Sequence, residues 1–292
     1  MPCTAADLVQ TFDLKATGAD SFTGHALKNG WRRIYGGQVL AQALVAAERT
    51  VEGKTPHSIH AYFILGGDPL APIEFEVDRI RDGRSFATRR VVARQRGAAI
   101  FALSASFHIE EAGLEFALPA PGAPAPETLP SPRQLAAAMG AAGDGMRGFM
   151  DRISPIEMTP IDLKRYAPQA AGAVGAPEQK IWIRIAGALP DEPAIHRAAL
   201  LYLSDMTLLD TALATHGLSF ADGKYMGASL DHAFWFHRPC RADNWLLYAT
   251  DNPSSSGARA LTRGTIFCRD GVLAASAAQE GLLRERRHAA KN

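Results

Sequence analysis

The sequence predicts an α+β fold in which one plan, a long helix followed by an antiparallel meander, is used twice. Two observations carry this. Each half holds a strongly helical run followed by segments that alternate with period two or are rich in branched and aromatic residues. The halves also match: His60-Ala61-Tyr62-Phe63 answers His232-Ala233-Phe234-Trp235, and the turn at Arg96-Gly97 answers Asp270-Gly271.

In chain order, a mixed segment runs to about residue 29. Gly36-Gly37 then opens an alanine-rich run over 38–47, composed of good helix formers. Strands follow at 58–65 and 72–80, the second with clean alternation, and Arg81-Asp82-Gly83-Arg84 supplies a turn. Two further strands, 86–96 and 98–109, flank Arg96-Gly97. Prolines and alanines dominate from about 111 to 178, which reads as a long connection with short helices. The order then recurs: a strand at 181–185, a helix at 201–213, and strands at 229–237, 245–250, 259–268 and 272–280, with Asp270-Gly271 as a hairpin turn. This divides the chain into a first repeat over 1–112, a connection over 113–178 and a second repeat over 179–292. Two such sheets can join edge to edge, which covers exposed strand edges.

The chain has 292 residues, 47% of them hydrophobic, enough for a sizeable core. With 31 basic and 30 acidic residues the net charge is +1, so no global bias points to nucleic acid or a membrane surface. The basic clusters Arg89-Arg90 and Arg284-Glu285-Arg286-Arg287 read as solvated faces. Cys3, Cys240 and Cys268 are widely spaced, without metal-type pairing, which fits a reducing cytosol. No signal peptide and no apolar run of about 18 residues is read. The final residues, His288 to Asn292, match neither a peroxisomal address nor a lipidation site. A soluble, cytoplasmic protein is expected.

Asp205 is the best single pointer to chemistry. Read as one helix, residues 201–213 place Leu201, Asp205, Leu208, Leu209, Ala212 and Leu213 on one apolar stripe. A carboxylate on a buried face costs free energy unless it is paired or used. Pairing with an arginine is the plain structural reading; catalysis is the other.

Several stretches in this order resemble the acyl-CoA thioesterase II family. They are Tyr35-Gly36-Gly37-Gln38-Val39-Leu40-Ala41-Gln42-Ala43-Leu44, His57-Ser58-Ile59-His60-Ala61-Tyr62-Phe63 and Arg81-Asp82-Gly83-Arg84-Ser85-Phe86 in the first half. In the second they are Ser204-Asp205-Met206, Leu230-Asp231-His232-Ala233-Phe234-Trp235-Phe236-His237-Arg238-Pro239 and Gln279-Glu280-Gly281. The resemblance covers most of 5–110 and 180–285. It implies a double hotdog fold, each repeat wrapping an antiparallel sheet around a central helix, and hydrolysis of acyl-CoA to free acid and CoA. It implies no cofactor, no metal and no covalent intermediate, and a homo-oligomer, dimer or higher. The family's catalytic carboxylate, hydroxyl and glutamine carry over to Asp205, Ser229 and Gln279. Many relatives have threonine at the hydroxyl position; serine keeps the hydroxyl and loses a methyl group that limits its rotamers.

A thioester is already activated, so the protein must supply a positioned water, a proton acceptor and a partner for charge on the carbonyl oxygen. Asp205 can take the water's proton, and burial raises its pKa toward a useful range. Ser229 and Gln279 offer donors and acceptors that orient the water. Gly36 and Gly37 are candidates either for an oxyanion donor at a helix start or for close approach of substrate. Direct attack by Asp205 to give an anhydride is the other route.

Other features read as structure. His60 and His232 occupy matching places, which suggests a structural job in both halves. Arg238 suits a carboxylate or a CoA phosphate. Gln38 and Gln42 lie on the first-half helix where the second half has Asp205, so the first repeat lacks its own base. Ser254-Ser255-Ser256 lacks the framing of a nucleophile elbow and reads as a flexible loop. Gly36-Gly37 has no third glycine and is not a dinucleotide fingerprint. Two further functions fit the same fold: an enoyl-CoA hydratase, which needs a histidine such as His216 or His232 beside Asp205, and a non-catalytic acyl-CoA binding protein.

Overall fold

The computed structural model of the chain describes residues 2–138, 144–162, 176–220 and 223–286. Arg287 and the C-terminal residues read above for addresses lie outside them. The chain begins with α1 (Ala5–Phe12), whose start is a reciprocal cap: the Thr4 hydroxyl accepts the Asp7 N–H and the Asp7 carboxylate accepts the Thr4 N–H. Then come β1 (Lys15–Gly18), β2 (Ser21–Gly24), α2 (Gly36–Glu48), β3 (Thr55–Phe63), β4 (Ile73–Asp82), β5 (Phe86–Gln95) and β6 (Ala98–His108). A single 3-10 turn at Pro126–Thr128 precedes α3 (Pro132–Ala138), α4 (Asp144–Ile153) and β7 (Ile156–Pro160). The second half contains β8 (Glu178–Ile185), α5 (Pro193–Ser204), α6 (Leu208–Thr215), β9 (Tyr225–Ser229), β10 (Asp231–Phe236), β11 (Leu246–Ser256), β12 (Arg259–Cys268) and β13 (Leu273–Glu285).

Among the described residues the thirteen strands form one sheet. Its order is β1-β2-β4-β5-β6-β3-β10-β13-β12-β11-β8-β7, with β9 also paired to β13. The two halves share a topology. In the first, β4-β5-β6 is a meander and β3, the strand after the helix, returns to lie beside β6; in the second, β11-β12-β13 is the meander and β10 returns beside β13. The predicted plan of helix and meander used twice is therefore present, with this return of the first strand added. The halves join edge to edge through antiparallel pairing of β3 with β10, such as Ile59 opposite Phe234. That join removes two open edges from the centre of the sheet.

The helices sit on the sheet because their sequences leave them little choice. In α2, ten of thirteen residues are buried, including Leu40, Ala43, Leu44 and Ala47. Small alanines let α2 lie close to both the sheet and α5. Leu44 has no exposed surface, in the middle of the core. The turn between β5 and β6 takes positive φ at Arg96 and Gly97, as the hairpin signal requires.

Five sequence expectations are corrected. Residues 201–213 are not one helix: α5 stops at Ser204, α6 starts at Leu208, and Asp205 lies in the break. Residues 229–237 are not one strand, since β9 ends at Ser229 and β10 begins at Asp231. The proline-rich middle contributes β7, which pairs with β8 and lengthens the second half's sheet. Ser254, Ser255 and Ser256 lie in β11, opposite Leu261, Ala260 and Arg259, and are not a loop. Arg89 is not solvated: it is 1% exposed, donating to the Thr50 hydroxyl and carbonyl and pairing with Asp82. Its long stem packs inside while every guanidinium nitrogen finds an acceptor, which is what a buried cation requires.

Replacing Leu44 by alanine is expected to lower unfolding free energy by about 3 kcal/mol, within the range for a fully buried leucine. Urea denaturation of the two proteins checks this; a loss under about 1 kcal/mol would show that the α2 face is not closely packed.

Candidate active site

The site is built where α5 ends. A helix leaves its last four carbonyls without intrahelical partners. Here each finds another donor. Leu201 O accepts from the Ser204 hydroxyl at 2.8 Å, Tyr202 O from the Tyr35 hydroxyl at 2.9 Å, and Ser204 O from the Tyr248 hydroxyl at 2.9 Å. Leu203 O accepts the Met206 N–H at 3.1 Å. With its carbonyls satisfied in this way, the helix stops at a fixed place and Asp205 is held in the break. Ser204, Asp205 and Thr207 are residue types that compete with helix by local hydrogen bonding. That cluster is the signal from which the break was readable.

The start of α2 faces this end of α5, because the two helices run antiparallel: Arg197 in α5 pairs with Glu48 at the other end of α2 at 2.7 Å. The approach at Asp205 is close enough to need glycine. A Cβ on Gly36 would stand 2.6 Å from Asp205 Oδ2, and one on Gly37 would stand 2.4 Å from Tyr202 O. The Gly37 backbone N–H stabilises the Asp205 carboxylate. The positive end of the α2 dipole points the same way.

The three residues carried over from the resemblance meet here. Ser229, the last residue of β9, donates from Oγ to Asp205 Oδ1 at 3.2 Å. Gln279 of β13 donates from Nε2 to Ser229 Oγ at 3.0 Å, and its amide also lies against the Asp205 carboxylate. Gln279 is 1% exposed, whereas Asp205 and Ser229 keep part of their surface open. The group therefore has a dry side and an accessible side. Burial raises the Asp205 pKa to about 6, with the Ser229, Gly37 and Gln279 hydrogen bonds pulling against it. No basic side chain contributes to that balance, so the arginine-paired reading of Asp205 has no support.

His232 is a site residue that sequence comparison obscured. Its Nδ1 is 2.6 Å from Gln279 Oε1 and its Nε2 is 3.0 Å from Ser204 Oγ. Burial lowers its pKa to about 4, against the hydrogen bond to Gln279. The match with His60 fails on the pleat. In the β3–β10 register His60 stands opposite Ala233 and Ala61 opposite His232, so the two imidazoles leave opposite faces of the sheet. His60 is exposed on the outer face, with its ring 5.5 Å from that of Trp235. The parity of the two motifs against the strand pairing was the signal that could have separated them.

The remaining candidates have other partners. Arg238 pairs with Glu115 at 2.9 Å. Gln38 and Gln42 are buried and serve local backbone: both donate to His25 O, and Gln42 also to Thr11 O. At the other end of α2, Glu48 is tied to Arg197. His216 caps the far end of α6, with that helix between it and Asp205. Among the described residues no cluster of three His, Cys, Asp or Glu could hold a metal ion.

Comparison with known proteins identifies the family. Residues 153–282 match the family described as acyl-CoA thioesterase, and residues 27–108 match the acyl-CoA thioesterase N-terminal domain. The mouse protein named acyl-coenzyme A thioesterase 8 is 38% identical over 87% of this chain and 81% of its own length. Acyl-CoA thioesterase 2 of Haemophilus influenzae is 33% identical over 90% of this chain and 92% of its own. The crystal structure of acyl-CoA thioesterase II TesB2 from Mycobacterium marinum superposes with a TM-score of 0.78 at 38% identity, covering 96% of this chain and 99% of that one. With two hotdog halves joined through β3 and β10 and a family match in each half, the chain belongs to the acyl-CoA thioesterases and hydrolyses acyl-CoA thioesters.

Proposed function

We propose that hydrolysis proceeds by general-base attack of water, with Asp205 as the base, Ser229 as the group beside the water and Gln279 as the group that holds Ser229 and Asp205 in place. The observation that carries this reading is the partly open Asp205 carboxylate, without a cationic partner and with a pKa near 6, bonded to Ser229 and, on its dry side, to Gln279. A base with that pKa is mostly ionised at neutral pH and still basic enough to accept a proton. The water loses a proton to Asp205 as its oxygen bonds to the thioester carbon. The tetrahedral intermediate then breaks the carbon–sulfur bond, and the CoA sulfur leaves with the proton returned by Asp205. The first-turn N–H groups of α2 at Gly36 and Gly37 are the donors for negative charge at this point, on Asp205 and on the carbonyl oxygen. Direct attack by Asp205 is less favoured because Ser229, Gly37 and Gln279 already engage the carboxylate. A hydratase is disfavoured because both ring nitrogens of His232 are engaged, leaving no second acid–base group beside Asp205.

We also infer a homo-oligomer working in the cytoplasm. Tyr62, Ile64 and Leu65 are 65%, 50% and 57% exposed at the end of β3, an apolar stretch suited to burial against another subunit. The three cysteines, widely spaced in sequence, are all free thiols, which suits a reducing compartment.

Release of free thiol from acyl-CoAs of several chain lengths tests the mechanism. Asp205→Asn is expected to reduce kcat by at least about 1,000-fold. For the wild type, kcat/KM should be flat above neutrality and fall about tenfold per pH unit below pH 6, because the base is lost on protonation. Retained activity in D205N, or a flat profile down to pH 5, would refute Asp205 as base. A single turnover in 18O-water should place the label in the product acid; label in the Asp205 carboxylate would instead mean an anhydride.

The same substitution should stabilise the fold. The native pKa of Asp205 is raised from 3.8 to about 6. The native state therefore holds this proton more tightly than the unfolded chain, so the associated stability is full below about pH 4 and lost as pH rises through about 6. At pH 8 the ionised group costs roughly 1–3 kcal/mol, the lower figure allowing for screening at its open side. D205N should melt higher than wild type at pH 8 and show little gain at pH 4. Equal melting temperatures at pH 8 would show that ionising Asp205 carries no such cost.

A further inference from the structure

We propose that His232 is a positioning residue for hydrolysis: its Nδ1–H fixes which way the Gln279 amide faces, and through it directs the Ser229 hydroxyl onto Asp205. The inference rests on the proposed roles of Asp205, Ser229 and Gln279. It begins from an asymmetry in hydrogen-bonding capacity. An amide offers an acceptor at one end and a donor at the other, and the two orientations fill nearly the same volume. Which one is populated depends on the neighbours.

Around Gln279 the order is anchored at Asp205: an ionised carboxylate only accepts, so Ser229 gives it its proton and takes one from Gln279 Nε2. A carbonyl oxygen only accepts, so the 2.6 Å contact between Gln279 Oε1 and His232 Nδ1 requires the proton on Nδ1. Nε2 then holds a lone pair 3.0 Å from Ser204 Oγ, whose single proton is shared between it and Leu201 O at 2.8 Å. With Oε1 engaged, Nε2 of Gln279 faces Ser229 Oγ at 3.0 Å and donates to it. The Ser229 hydroxyl has taken one donor and passes its own proton to Asp205 Oδ1 at 3.2 Å. From His232 on, the donors thus run one way: His232 to Gln279 to Ser229 to Asp205. The Thr262 hydroxyl, donating to the Gln279 main-chain carbonyl at 3.2 Å, holds the backbone of the same residue.

The opposite amide orientation breaks this order at two places. It would set the Gln279 NH2 against the Nδ1 proton of His232, a clash of donors. It would also turn Oε1 toward Ser229, whose hydroxyl would then donate to Gln279 and leave Asp205 without that bond. His232, Ser204 and Gln279 are fully or almost fully buried, at 0%, 0% and 1% exposed, so no solvent donor is at hand to replace a missing link. The imidazole is also poor as a proton carrier here, because burial keeps it neutral near pH 7. Its contribution is direction, not proton transfer.

Two substitutions separate direction from space filling. Asparagine places its NH2 close to where histidine holds Nδ1 and leaves a gap beyond; glutamine fills more of the volume but carries its NH2 toward the Nε2 position. His232→Asn is expected to keep kcat within about fivefold of wild type, while His232→Gln falls about 100-fold, comparable to loss of one aimed donor, with KM changed less than about twofold in both. Equal activity of the two variants, or H232Q above H232N, would mean that His232 only fills space and the proposal fails. An independent readout uses the unsubstituted protein. With 15N-labelled histidine, the His232 ring, assigned by its shift in Gln279→Ala, should be the neutral Nδ1–H tautomer from pH 6 to 8. An Nε2–H tautomer would overturn the proposal even if the variants do not fold. D205N in the same thiol-release assay keeps the two readings apart. If D205N is active, the roles of Asp205 and its partners fail; if D205N is inactive and H232Q is fully active, only the orienting role of His232 fails.

Discussion

The end of one helix governs this molecule's chemistry. α5 stops one residue before Asp205, and four donors meet its terminal carbonyls: the hydroxyls of Ser204, Tyr35 and Tyr248 and the Met206 N–H. Two of these come from other parts of the chain, Tyr35 from the lead into α2 and Tyr248 from β11. Without them the helix end would carry orphan acceptors in a buried setting, at a cost of about 1–3 kcal/mol for each. With them, a carboxylate is suspended between two helices at a fixed height above the sheet. The tyrosines hold on to neutral hydroxyls: burial, with the Asp205 charge nearby, drives the pKa values of Tyr35 and Tyr248 well above the usual value. They remain donors at any pH the protein meets.

The hydrogen-bonded chain from Ser204 to Asp205 has a geometric property that follows from sequence order. Its first and last members are consecutive residues. The links through His232, Gln279 and Ser229 therefore close into a ring, completed by the peptide between 204 and 205. A ring cannot adjust one link without moving another. It ties β10, β13, β9 and the α5 terminus into one unit, and networks of this kind strengthen when every member is satisfied. Elsewhere the interior is less complete: Gln179 Nε2 and Thr207 Oγ1 are buried without a hydrogen-bond partner under α6.

Much of the fold was legible because it rests on local periodicity. The alternation of β4, the turn at Arg96-Gly97 and the alanine-rich α2 all read directly, and the doubling of the plan followed from recurrence. What misled was anything decided by tertiary partners. The break at Asp205 is marked locally by Ser204, Asp205 and Thr207 but fixed by hydroxyls from distant segments, and a smooth apolar stripe was read through it. β7 exists because β8 offers it an edge, and the prolines around it argued against a strand. Arg89 is buried by acceptors at Thr50 and Arg81 that no charge pattern displays. At the site, Asp205 stood out from its own environment, whereas Ser229 and Gln279 were accessible only through family resemblance. His232 was hidden by a likeness in wording between two motifs that sit on opposite phases of the pleat.

The glycines at the start of α2 carry an implication for the history of the chain. Asp205 belongs to one repeat and the N–H that steadies it belongs to the other, with no room for even a methyl group between them. The opposite ends of the same two helices, at Glu48 and Arg197, are tied by an ion pair. Each repeat has become a fixed part of its sibling's workplace, so gene fission or the swapping of a single half between homologues would sever the reaction centre itself.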